Sequence, residues 1–154
     1  MWLAEESYVD RFGKGFILNL GAGNSPIKAN INVDPLIKRD VICIGEYLPF
    51  KAESFDTVLI FSVLDHVMDD VKVLEEAKRV IRKHGRILVM QSVLGYKHWI
   101  FYIRQAIRGK FDPYYMRHYW FGWASLKRII RKAGLQCIHY EIQFFNQDKV
   151  ILQL

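Results

Sequence analysis

The sequence has no apolar stretch approaching the roughly 18 residues that cross a bilayer, which excludes a transmembrane helix. It begins Met1-Trp2-Leu3-Ala4-Glu5-Glu6, without the basic start and apolar core of a secretory signal, so a cytoplasmic protein is expected. Cysteine is scarce. Only Cys43 and Cys137 occur, their spacing suits neither a metal centre nor a disulfide framework, and both sit in apolar, strand-like stretches, where free buried thiols are expected. Four prolines and ten glycines in 154 residues, with 51% hydrophobic and 25% charged positions, exclude disorder, collagen-like repeats and low complexity. There is no internal repeat and no linker. The length and composition predict one globular domain over 1–154.

Acidic residues are nearly missing from one region. Between Lys97 and Lys132 there are nine Lys and Arg and a single acid, Asp112, so this stretch carries +8 of a total +6 and the rest of the chain is −2. Eleven of the 22 aromatic residues also fall between Tyr96 and Trp123.

The chain reads as alternating strands and helices. Gly15 to Leu20 forms an apolar run ending in Gly21-Ala22-Gly23-Asn24-Ser25-Pro26, a buried strand that delivers the backbone into a tight turn. Ile31–Val33, Val41–Ile44 and Phe55–Phe61 read as the next three strands. The spacing of Val73, Leu74, Ala77, Val80 and Ile81 predicts a helix over 69–83, with acids early, Lys and Arg late, and His84-Gly85 as its stop. A strand at Arg86–Gln91, a helix at Ser125–Ala133 capped by its serine, and strands at 136–145 and 149–154 complete the pattern. Continuous apolar strands are buried on both faces. The fold class is therefore α/β, a Rossmann-like and mostly parallel sheet with helices on both faces and an antiparallel final strand. Only Gly21 to Asn30 separates the first two strands, which leaves room for one helical turn at most.

In such a sheet, ligands bind beyond the carboxyl ends of the strands. Gly21 and Gly23 permit close backbone approach there, and Asp34, ending the second strand, is placed to accept two hydrogen bonds from a ribose cis-diol. A nicotinamide dehydrogenase fits poorly, because the turn lacks its final glycine and Asp34 follows Gly21 by 13 residues instead of about 20.

With these residues in place the chain resembles the class I S-adenosylmethionine-dependent methyltransferases, in particular the small-molecule, type-11-like group. The resemblance spans about Phe16 to Leu135. Phe16-Ile-Leu-Asn-Leu-Gly-Ala-Gly23 is similar to the first motif, and Asn32-Val-Asp34 to the ribose-binding strand end. Leu48-Pro-Phe50 with Ser54-Phe-Asp56 resembles the entry to the fourth strand, and Leu64-Asp-His66 the turn after it. Asn19 replaces the family's usual acid, Ser25 a third glycine, and Ile44 an aspartate that commonly receives the adenine amino group.

The resemblance implies S-adenosylmethionine as cofactor and S-adenosylhomocysteine as product, held by Asn19, Gly21, Ala22, Gly23, Asp34, Gly45, Glu46, Phe61 and Ser62. His66 and His118 are the candidate bases for removing the acceptor's proton, and Asp65 orients a partner or caps the following helix. No metal is implied. Residues 96–123 lie where family members insert a lid or acceptor-binding element, and their cations suit a small anionic acceptor such as a phosphorylated or nucleotide-linked sugar or a lipid-linked intermediate. The same segment also suits a membrane surface and, less well, nucleic acid, or simple cover for the sheet. The rival to an enzyme is a non-catalytic binding or scaffold protein of the same fold.

Overall fold

The computed structural model describes residues 2–91, 104, 107–108, 123–143 and 147–153. Among them are α1 (Trp2–Phe12), β1 (Ile17–Leu20), β2 (Ile31–Val33), β3 (Phe55–Phe61), α2 (Asp70–Val80), β4 (Ile81–Gln91), α3 (Trp123–Lys132), β5 (Gln136–Gln143) and β6 (Gln147–Gln153). The strands form one sheet in the order β2-β1-β3-β4-β6-β5. The first four run parallel, whereas β6 pairs antiparallel with both β4 and β5. This is the mixed sheet that the alternating pattern predicts.

Alternation along the strands sorts the core into two layers. Leu18, Leu20, Val58, Ile60, Ile87 and Val89 pack with Val73, Leu74 and Ala77 of α2 and with Leu126, Ile129 and Ile130 of α3. Leu59, Phe61, Leu88 and Met90 turn to the other face, where Tyr8 and Val9 of α1 cover them. Helices thus lie on both faces. The element α1 has no counterpart in the sequence reading, since its buried face is short and its order comes from contacts with strands far along the chain.

β2 and β3 have the boundaries that their β-branched runs predict. Elsewhere local rules yield to tertiary pairing. The expected strand at Val41–Ile44 is reduced to one parallel bridge, Val33 to Val41, because β2 ends at Val33 and Ile42 and Ile44 face solvent. The helix over 69–83 stops at Val80: Ile81 is extended (φ −76°, ψ 142°) and pairs with Phe55. His84, not a glycine, takes the left-handed conformation at φ 67°. Asp69 caps α2 by accepting from the Lys72 N–H at 2.9 Å, so Asp65 is not the cap. α3 starts at Trp123, two residues before the expected serine cap. Both thiols are free, but Cys43 is half-buried and Cys137 exposed, the latter because β5 is the last strand of the sheet. The crossover between β1 and β2 contains no helix, and Ile27 plugs it into the α1-side core.

Residues 34–54 contain no helix or strand beyond that one bridge and are held from outside. Glu76 of α2 accepts from the Leu48 N–H at 2.9 Å. Its partner Arg79, 2.7 Å away, donates to the Leu48 and Phe50 carbonyls. The Arg79 guanidinium is the main reason that the Glu76 carboxyl lies below its ordinary value of 4.5, overcoming the upward pull of burial with help from the Leu48 N–H. Glu76→Ala strands a guanidinium and a backbone donor, and should cost about 2–4 kcal/mol in urea unfolding. Because the folded carboxyl binds its proton less readily than the unfolded one, its contribution is full above pH 4.5 and is lost as pH falls through the lowered value. The stability gap between wild type and Glu76→Gln should therefore narrow progressively as the unfolding is repeated at pH values stepped down from 4.5.

Candidate functional site

At the carboxyl ends of β1, β2 and β3 the chain opens a cleft of about 390 Å³, within the size range of small-molecule sites. Parallel register creates it. Leu20 is level with Val33 on one side and Ile60 on the other, so the segments leaving all three strands turn at the same height. The cleft is lined by Gly21, Asp34, Gly45, Glu46, Ser62 and His66, with Leu36, Ile44, Val63 and Met68 supplying apolar wall.

The turn after β1 is left-handed at Gly21 (φ 65°) and Gly23 (φ 49°). A Cβ on Gly21 would lie 2.5 Å from the Val63 side chain, whereas one on Gly23 would meet nothing within 4 Å. Gly21 is thus locked by packing, and Gly23 borders open space. Ala22 is buried and donates its N–H to the Val33 carbonyl at 2.9 Å, tying the turn to β2.

Asp34 is 8% exposed and collects backbone donors: Oδ2 accepts from the Gly23 N–H at 2.8 Å, and Oδ1 from the Leu36 and Ile37 N–H groups at 2.9 Å each. Burial pulls its carboxyl upward, but the N–H groups of Ile37, Leu36 and Gly23, with the charge of Arg39, hold it below the usual carboxylate range. It is an anion with most of its acceptor positions already used. Arg39, to which no sequence motif points, donates from Nε to the Gly23 carbonyl at 2.6 Å.

Glu46 is also buried, and its Oε1 accepts from the Met68 N–H at 2.9 Å and the Asp69 N–H at 3.4 Å, pinning the segment before α2 against the cleft. Ser62 holds φ 54° and donates its N–H to the Met90 carbonyl at 2.7 Å. His66 stands at the mouth with its side chain 60% exposed, its Nε2 3.8 Å from Asp65 Oδ2.

Four residues of the expected cofactor set do not line the cleft: Ala22 and Gly23, in the turn beyond Gly21, and Asn19 and Phe61, which lie within strands. Asn19 is buried within β1 and donates from Nδ2 to Asn32 Oδ1 at 3.1 Å, tying two strands together. Phe61 belongs to the core layer beneath α1, on the opposite face from Ile60. Strand parity carries that signal for Phe61, since Val58 and Ile60 share one face. Neither residue lines the cleft. His118 and nearly all of 96–123 lie outside the described residues. Among the described residues no three metal-ligating side chains converge.

The contrast between the two glycines is measurable. Gly21→Ala meets both a left-handed backbone and the Val63 side chain, and should lose about 2–4 kcal/mol of stability. Gly23→Ala meets the backbone cost alone, about 1 kcal/mol. Thermal unfolding of the two variants checks the order.

Residues 27–89 match a family model described as Methyltransferase domain. An uncharacterized protein of Methanocaldococcus jannaschii is 42% identical over 79 residues, 51% of this chain and 38% of that protein. A demethylmenaquinone methyltransferase of Bacillus velezensis is 28% identical over 109 residues, 60% of this chain and 47% of that enzyme. The matches thus span less than half the length of these curated relatives. Among solved structures, a SAM-dependent methyltransferase from Thermotoga maritima superposes with a TM-score of 0.74 at 22% identity, covering 99% of this chain and 88% of that one. Residues 27–89 are thus similar to a methyltransferase domain, and the chain shares the fold of that S-adenosylmethionine-dependent methyltransferase.

Proposed function

We propose that this chain transfers a methyl group from S-adenosylmethionine to a small anionic acceptor, leaving S-adenosylhomocysteine. The observation that supports this best is the cleft itself, where a charged acid, an open glycine turn and an apolar wall meet at the strand ends. These residues fit the cofactor. Asp34 is charged and would accept a ribose hydroxyl, the backbone at Gly21 would allow close approach, and Leu36, Ile44 and Met68 would offer apolar surface to the adenine. Glu46 keeps Oε2 for a polar edge of the ligand, its other oxygen being engaged by Met68 and Asp69.

When bound, S-adenosylmethionine supplies a methyl group already activated by its sulfonium, so the protein's task is to place the acceptor and remove its proton. His66 is the described residue that suits the second role. It stands at the cleft mouth with its Nε2 3.8 Å from Asp65 Oδ2. The cationic stretch that follows β4, to which the exposed Arg104, Arg108, Arg128, Arg131 and Lys132 belong, favours a negatively charged acceptor. In this reading 96–123 supply the lid or acceptor-binding element and His118 is the second candidate base.

The engagement of Asp34 by its own backbone favours the rival reading, a non-catalytic protein that keeps the fold without the cofactor. Calorimetry separates the two. S-adenosylhomocysteine should bind and NAD should not, and Asp34→Ala should weaken the former by about 1.5–3 kcal/mol, the scale for a hydrogen bond to a charged group. His66→Asn should leave that affinity unchanged, because the histidine acts on the acceptor. A folded wild-type protein that ignores S-adenosylhomocysteine refutes the enzyme reading.

A further inference from the structure

We propose that Arg39 is a positioning residue of the cleft: it clasps the glycine turn onto Asp34, so that Asp34 meets a ribose with one open acceptor position instead of two. This rests on the cofactor reading above and adds a specific consequence to it.

A carboxylate offers about four acceptor positions. On Asp34 the Leu36 and Ile37 N–H groups occupy both on Oδ1, and the Gly23 N–H occupies one on Oδ2. One position on Oδ2 remains. Gly23 is held from both ends, its N–H on Asp34 at 2.8 Å and its carbonyl on Arg39 Nε at 2.6 Å. Nothing packs on the side of Gly23 where a Cβ would stand, so hydrogen bonds rather than packing set its position. Asp40, the neighbouring acid, is turned away from Arg39 and accepts from the Asn32 backbone and side chain.

For Asp34 to grip both hydroxyls of a cis-diol, the Gly23 N–H must leave Oδ2. That exchange replaces one hydrogen bond to a carboxylate by another, with no net gain, and it also pulls the Gly23 carbonyl from Arg39. The clasp therefore stays closed on binding. One ribose hydroxyl is read by Asp34, and the other is left to a different partner or to solvent. Arg39 acts through Gly23 without touching the ligand.

The test compares S-adenosylhomocysteine with its 2′-deoxy and 3′-deoxy analogues by calorimetry. In wild type one analogue should bind within about threefold of the parent and the other at least about tenfold more weakly, as expected for losing one hydrogen bond to a charged group. In Arg39→Met the freed turn lets Asp34 serve either hydroxyl, so the contrast between the analogues should shrink to within about threefold. Arg39→Lys, which keeps the charge but lacks the planar Nε donor, should behave like Arg39→Met. Equal losses for the two analogues in wild type overturn the closed clasp. A folded Arg39→Met protein with unchanged contrast overturns the role of Arg39.

Hydrogen exchange on the ligand-free protein keeps the two proposals apart. The Gly23 amide should exchange about tenfold faster in Arg39→Met, while amides of β3 stay as in wild type. If wild type does not bind S-adenosylhomocysteine, the functional reading fails, and the exchange rate of Gly23 still confirms or refutes the clasp.

Discussion

Parallel pairing of β1 with β2 on one side and β3 on the other is the constraint on which the cleft depends. Leu20, Val33 and Ile60 stand level, so the glycine turn, Asp34 and Ser62 leave the sheet at one height and enclose a common space. Slipping β1 by one residue would exchange its core and opposite faces and move Gly21 away from Val63. The pairing is in turn secured by burial, since Leu18, Val58, Leu59 and Ile60 have no measurable exposure.

Beyond the strand ends, much of the organisation comes from carboxylates that collect backbone N–H groups. Asp34 takes three, Glu46 two, and Asp56 and Glu76 one each, from Phe16 and Leu48. These bonds reach across as many as 40 residues. They do the work that helices do in longer crossovers, because the segments from 21 to 30 and from 34 to 54 are too short or too irregular to satisfy their own backbone groups. The same economy constrains function. An acid that organises a loop has fewer acceptor positions left for any ligand, as at Asp34, where three backbone N–H groups are already bound.

Charge is divided between the two ends of the chain in a way that suits this arrangement. The part that builds the cleft is slightly acidic and buries Asp34, Glu46 and Glu76, whereas net positive charge concentrates after β4. On α3 the residues Arg128, Arg131 and Lys132 are exposed while Leu126, Ile129 and Ile130 face the sheet, so one short helix both closes the core and presents positive charge.

The glycine turn, Asp34 and the β2 and β3 boundaries were legible in the sequence because each rests on local chemistry: left-handed backbone, an acid at a strand end, and β-branched runs. So was the mixed α/β architecture, since buried parallel strands write themselves as continuous apolar runs. The partners of the polar groups were not legible. Asn19 turns to Asn32, Glu46 to Met68 and Asp69, and Arg39 to Gly23, and no motif records those meetings. The end of α2 at Val80 and the loss of the third strand were likewise decided by what Ile81 and Val41 found to pair with. Sequence by itself determined which backbone conformations and faces each segment favours, through steric and hydrophobic preferences that act within a few residues. Tertiary structure alone decided which donor meets which acceptor, because a hydrogen bond forms only where the folded chain brings two groups within about 3 Å.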